Sequence, residues 1–122
     1  MKTIIAGGRD ITDPEILDKA LKLIDWEITE VVCGMAKGAD TLGLRWAQCN
    51  GIVVKPFPAK WREFGNAAGP IRNSDMALYA EALLALWDGQ SKGTKDMIKK
   101  AMSRKLKIFV YRTDLDIGRL FV

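Results

Sequence analysis

Two kinds of stretch alternate along the chain: short uninterrupted apolar runs, and segments whose apolar residues recur at helical spacing. Leu83-Leu84-Ala85-Leu86-Trp87 is the clearest of the runs and reads as a strand buried on both faces. It stops at Asp88-Gly89-Gln90-Ser91-Lys92-Gly93-Thr94, and Ser91 or Thr94 can cap a helix on which Met97, Ile98, Ala101 and Met102 share a face. A strand, a glycine loop and a helix N-terminus suit an anion, because the first helical turn leaves backbone N–H groups unpaired at the positive end of the helix dipole. The same loop equally serves as a plain strand-to-helix connection.

The rest of the chain repeats this design. Lys2–Ala6 is a β-branched run ending at Gly7-Gly8-Arg9-Asp10. Asp13-Pro14-Glu15 then supplies a cap, a first-turn proline and an acidic first turn for a helix reaching about Asp25. A second strand over Ile28–Cys33 ends in Gly34-Met35-Ala36-Lys37-Gly38-Ala39-Asp40 and leads into a helix through about Gln48. Gly51–Phe57 gives a third strand. Pro58–Gly69 lacks periodicity and is expected as a mobile or ligand-covering loop, after which Pro70 opens a helix over Ile71–Tyr79. Leu106–Tyr111 is a fifth strand, and Arg119–Val122 is expected as a short edge strand. Strands alternating with helices predict an α/β fold, a single domain over residues 1–122 with a parallel sheet of about five strands covered on both faces. In such sheets ligands gather at the carboxyl ends of the strands, where all three glycine loops fall.

Composition narrows the chemistry. The chain has 122 residues and no histidine, and its two cysteines, Cys33 and Cys49, lie outside any CxxC spacing, which excludes a zinc cluster and a histidine-based triad. No metal and no cofactor is expected, and both thiols are expected as small buried hydrophobes. Without an apolar leader or a membrane-length run, a soluble cytoplasmic protein is expected. Of the 19 basic residues behind the net charge of +4, seven lie between Lys92 and Lys107 with one acid, Asp96. Such a cluster fits an acidic ligand or nucleic acid, and equally the solvated face of a helix.

Gly7-Gly8-Arg9-Asp10, Gly34 through Asp40, Gly69-Pro70-Ile71-Arg72-Asn73 with Met76, and Trp87 through Thr94 together resemble the motifs of the SLOG superfamily, and most nearly its small bacterial and phage YspA/YpsA-related family. The resemblance spans about Met1 to Tyr111. It implies a Rossmann-like fold that binds nucleotides or nucleotide-derived ligands; with the three glycine loops, the expected ligand is a nucleoside phosphate or an ADP-ribose-like or cyclic nucleotide signal, and the phage-borne relatives extend this to sequestering a defence signal. The superfamily's LOG-type phosphoribohydrolases cleave the N-glycosidic bond of nucleoside 5′-monophosphates with an Arg in a segment like Arg72-Asn73-Ser74-Asp75-Met76 and a Glu closing PGGxGTxxE. Here Arg72 is present and Met97 stands at the Glu position. A thioether cannot carry a proton, so the departure favours binding over hydrolysis.

The expected ligand-binding residues are therefore Gly7, Gly8, Arg9, Gly34, Lys37, Gly38, Asp40, Arg72, Asn73, Asp88, Gly89, Ser91, Lys92, Gly93 and Thr94. Two readings stay open for several of them. Arg9 clamps a phosphate or pairs with Asp10; Asp40 caps its helix or accepts from a ribose hydroxyl; Asp88 meets the ligand or ties its own loop. Trp61 stacks on a base or fills the core. If the protein is instead a phosphoribohydrolase, Arg72 orients the substrate and Asp96 or Asp88 replaces the missing Glu. A third reading, a DNA-binding accessory protein, rests on the lysine cluster and on a related SLOG domain in a DNA-processing protein. An aromatic content of 8%, with no rings among those lysines, argues against nucleic acid as a partner. Met76, Leu78 and Tyr79, with Ala77, Ala80 and Ala82, predict spare apolar surface on the third helix and hence a homodimer or higher homo-oligomer seamed near Arg72.

Overall fold

The computed structural model describes residues 1–121. In chain order the elements are β1 (Lys2–Gly7), α1 (Pro14–Leu23), β2 (Glu30–Cys33), α2 (Ala39–Cys49), β3 (Val53–Pro56), α3 (Trp61–Phe64), α4 (Ala68–Tyr79), β4 (Ala82–Trp87), α5 (Lys92–Ser103), β5 (Lys107–Arg112) and β6 (Ile117–Phe121). One 3₁₀ turn, Gly65–Ala67, joins α3 to α4. The six strands form one sheet in the order β3-β2-β1-β4-β5-β6. The first five are parallel, and β6 runs antiparallel to β5 with Arg112 opposite Ile117. The chain winds outward from β1 in one direction and from β4 in the other, so the strand order reverses between these two neighbours.

Alternation along the buried strands divides the core into two layers. Ile5, Val31, Leu84, Leu86 and Phe109 point to one face and meet Leu17 and Ala20 of α1 and Ala39, Leu42 and Ala47 of α2. Ile4, Ala6, Val32, Leu83, Ala85, Ile108 and Val110 point to the other and meet Met76 and Ala77 of α4 and Met97 and Ala101 of α5. Leu83 and Leu84 have no exposed surface, so truncating either to Ala would cost about 2–5 kcal/mol. The α/β architecture expected from the pattern is thus present, and the central pair β1 and β4 is its most deeply buried part. Among the described residues no helix is long and apolar enough to cross a membrane.

Several expectations need correction. The segment expected as a loop from Pro58 to Gly69 holds α3 and the 3₁₀ turn, and α4 starts at Ala68, two residues before Pro70. The amide of Ala68 is taken up by the carbonyl of Gly65, so the preceding turn already sets the helical direction, and proline costs nothing in a first turn that needs no amide from it. Arg72 consequently sits in the second turn of α4. Helix α1 ends at Leu23, and β2 begins at Glu30. Strand β6 begins at Ile117 instead of Arg119, and the expected end of this strand at Val122 lies outside the described residues. Cys33 is buried as expected, whereas Cys49, at the solvated end of α2, is exposed.

Candidate functional site

The loops that follow β1, β2 and β4 meet α4 around an open cleft of about 670 Å³ at the point where the strand order reverses. Its floor is formed by Ala6, Gly7, Gly8, Met76 and Met97, and one wall by the start of α5. Ser91 caps that helix, accepting from the Thr94 amide at 3.3 Å and from the Thr94 hydroxyl at 3.0 Å. Of the two residues able to cap α5, Ser91 does so. The amides of Lys92 and Gly93 open the helix, where no carbonyl of the same helix can reach them, and both residues line the cleft.

Asp88 shapes this wall from behind. Its Oδ1 accepts from the amides of Gln90 and Ser91, both at 2.8 Å, and these bonds hold its carboxyl below the usual carboxylate range. The carboxylate thus ties its own loop. Trp87 adds a brace by donating from Nε1 to the Ser91 carbonyl at 3.1 Å.

Arg72 forms the opposite wall. Its Nη1 donates to the Gly34 carbonyl at 2.5 Å and its Nε to Asn73 Oδ1 at 3.0 Å, leaving part of the guanidinium edge facing the cleft. Asn73, 6% exposed, donates in turn to the Gly93 carbonyl at 3.3 Å and to Asp96 Oδ2 at 2.9 Å. Asp96 completes the chain with Lys100, 2.9 Å away, and Lys100 donates to the Pro70 carbonyl at 2.7 Å. One polar chain therefore locks the β2–α2 loop, α4 and α5 into fixed register around the cleft.

Asp40 is the buried titratable group here, 6% exposed. Burial pushes its carboxyl pKa up, against the pull of the Ala36 amide, which donates to Oδ2 at 3.1 Å, and of the nearby Arg72 and Arg9 charges. It does not cap α2: the cap position is Gly38, without a side-chain bond.

The cleft thus gathers Gly7, Gly8, Arg9, Asp40, Arg72, Asn73, Asp88, Ser91, Lys92, Gly93, Thr94 and Asp96. Gly34 and Lys37 line instead a side chamber of about 330 Å³, which shares Arg9, Ala36, Trp61 and Arg72 with the cleft. Gly38 and Gly89 line neither. Gly38, at φ +76°, sits against the Gly8 and Arg9 carbonyls with no room for a Cβ, and lets the first glycine loop lie on α2, where the Ala39 amide donates to the Gly8 carbonyl at 3.1 Å. Gly89 packs against the Arg112 guanidinium. No ion pair joins Arg9 to Asp10 among the described residues. Trp61 is 49% exposed at the rim and so is not core. Pro70, Met76 and Gln90 also line the cleft; they fall within the motifs quoted above but outside the expected ligand-binding set, because nothing in their type marks them as ligand contacts.

The fold is similar to that of DNA processing protein A (DprA) from Streptococcus pneumoniae, with a TM-score of 0.72 at 18% identity over 89% of this chain. The chain spans about half of that protein, 49% of its length. No curated protein matches the chain. A family model matches residues 1–64, the part that carries the first two glycine loops, and the chain belongs to the YspA, cpYpsA-related SLOG family.

Proposed function

We propose that this protein binds a small nucleotide-derived ligand in the cleft between β1 and β4. The observation that carries the reading is the convergence of three anion-compatible groups on one cavity: the glycine turn after β1, the open amides of Lys92 and Gly93, and the Arg72 guanidinium. A phosphate fits against the start of α5, with Ser91, Lys92 and Thr94 beside it. Arg9 and Arg72 offset its charge, Trp61 offers a ring face for a base, and Asp40 is an acceptor for a sugar hydroxyl. The role is sensing or sequestering a nucleotide signal in the cytoplasm, and phage or bacterial defence is one setting for it.

Hydrolysis of the glycosidic bond is the weaker reading. Asp96 is already shared by Asn73 and Lys100, Asp88 is held by its own loop amides, and Met97 is buried without a titratable group. DNA binding is the other alternative: the structural neighbour is a DNA-processing protein, and Lys92, Lys95 and Lys99 are exposed along α5. Phosphate contacts of that kind weaken steeply with salt. The oligomer we favour is a dimer through the exposed side of α4.

A thermal-shift panel tests these readings together. A nucleotide present at a hundred times its Kd would stabilise the protein by about 2.7 kcal/mol, a rise in Tm on the order of ten degrees. Stabilisation by nucleotides that is lost in Arg72→Ala supports binding in the cleft. No response to any nucleotide at millimolar concentration, or a tight salt-resistant complex with single-stranded DNA alone, overturns it. Free base released from nucleoside monophosphates, and abolished by Arg72→Ala, would replace binding with catalysis.

A further inference from the structure

The side chamber differs in charge from the cleft that it joins. The cleft wall carries Asp10, Asp40, Asp88 and Asp96 among its cations, whereas the chamber is lined by Arg9, Lys37 and Arg72, and the carboxylate that acts on its two arginines is Asp40, beside Gly34. Its remaining walls are Gly34, Met35, Ala36, Pro58, Ala59 and the flank of Trp61, neutral surfaces that leave the cations facing one volume. At about 330 Å³ it reaches the size of small-molecule sites, ~300–1,000 Å³, and it opens on the cleft past Arg9, Ala36, Trp61 and Arg72. Arg9 and Arg72 stand at this neck and face both volumes. Lys37 belongs to the chamber alone.

Two local features maintain that volume. Gly34 leaves the space that the Arg72 guanidinium occupies, since a Cβ there would lie 2.7 Å from Nη1. Met35 beside it holds a left-handed conformation at φ +59°, which a non-glycine residue adopts at a cost of ~1–2 kcal/mol. That conformation turns the chain so that the Met35 amide donates to Cys33 Sγ at 3.4 Å, and the segment that follows carries Lys37 to the chamber.

We propose that the side chamber is a second anion subsite, so that the ligand class is a nucleotide carrying two separated phosphates, one at the start of α5 and one among Arg9, Lys37 and Arg72. This deepens the nucleotide-binding reading and rests on it. A nucleoside monophosphate in the cleft is offset by Arg9 and Arg72 at the neck and leaves Lys37 without an anion. A second phosphate on the sugar, or a second nucleotide joined through one, reaches past Trp61 to Lys37 and shares the two arginines.

Isothermal titration of the intact protein with nucleoside 5′-monophosphates of each common base, and with the matching 3′,5′-bisphosphates, reads the difference directly. The bisphosphate is expected to bind about 10- to 100-fold more tightly than its monophosphate, the worth of one or more hydrogen bonds to charged groups. Lys37→Glu should remove most of that advantage and leave monophosphate affinity within a few-fold, and Lys37→Arg should restore it. Lys37 is exposed, so a matching thermal melt without ligand serves as the folding control. Equal affinity for the two ligand types, or equal weakening of both by Lys37→Glu, overturns the second subsite and leaves nucleotide binding standing. Failure of every nucleotide to bind overturns both.

Discussion

Arg72 Nη1 donates to the carbonyl oxygen of Gly34 at 2.5 Å, so the second turn of α4 is tied to the end of β2 across the mouth of the cleft. The contact needs glycine at position 34, where a Cβ would stand 2.7 Å from both Arg72 Nη1 and Asp40 Oδ2. In Gly34→Ala both the end of the arginine side chain and the Asp40 carboxylate must shift, and the long arginine yields the more easily. The variant is expected to fold with reduced stability and to lose nucleotide affinity about tenfold or more, as is expected of Arg72→Ala. Combining the two changes should add little, because both remove the same group; fully additive losses would mean that Gly34 acts by another route.

Asp40 gives a pH-dependent prediction of definite sign. Burial raises its pKa in the folded protein above the unfolded value, so the ionised form present at neutral pH costs stability, and that cost fades as pH falls through the raised pKa. Asp40→Asn keeps an oxygen for the Ala36 amide and removes the charge. Urea melts should find the variant as stable as the parent or more so at pH 7, with the difference shrinking as the pH approaches 4. A stability gain accompanied by weaker nucleotide binding would identify a group retained for the ligand.

Asp96 is expected to behave as a strut. Removing it in Asp96→Ala leaves Asn73 and Lys100 without a shared partner at a site one-third exposed, so the cost should be modest, about 1 kcal/mol. Denaturant titration measures it, and nucleotide affinity should fall only as far as Arg72 loosens with Asn73. A base-release activity abolished by Asp96→Ala would show this assignment to be wrong.

The face of α4 turned away from the sheet supplies a test of assembly. Ile71 and Leu78 lie two turns apart on it, 38% and 65% exposed, while Met76, Ala77 and Ala80, expected to share the spare apolar surface, are buried in the core. A dimer seam on α4 is thus confined to Ile71 and Leu78, with Phe64 beyond them in α3 at 41% exposure. Light scattering should give twice the chain mass for the parent protein and a single chain for Leu78→Glu. A single-chain mass for the parent removes the dimer.

The strands, the helices and their order were legible because each carries its own period and its own stop signal. Leu83–Trp87 ends at a glycine loop, and Asp13-Pro14 begins a helix without help from distant residues. The segment from Trp61 to Ala67 was not legible, since two short turns with Gly65 between them have no face long enough to repeat. The candidate site was legible as a set of loops but not as a geometry. Nothing local distinguishes Gly34, which makes room for Arg72, from Gly38, which makes room for the Gly8 and Arg9 carbonyls. The chain running from Arg72 through Asn73 and Asp96 to Lys100 joins residues up to 28 positions apart, and only the packing of α4 on α5 brings them together.

Backbone amide chemical shifts report residue by residue on whether a nucleotide phosphate sits between the glycine turn after β1 and the first turn of α5. On titration with a nucleotide that raises Tm, the largest shift changes are expected at Gly8, Arg9, Lys92, Gly93 and Thr94, with Arg72 Nε following. Changes confined to the outer lysines Lys95 and Lys99, or to strand β3, would place the ligand elsewhere and contradict that site.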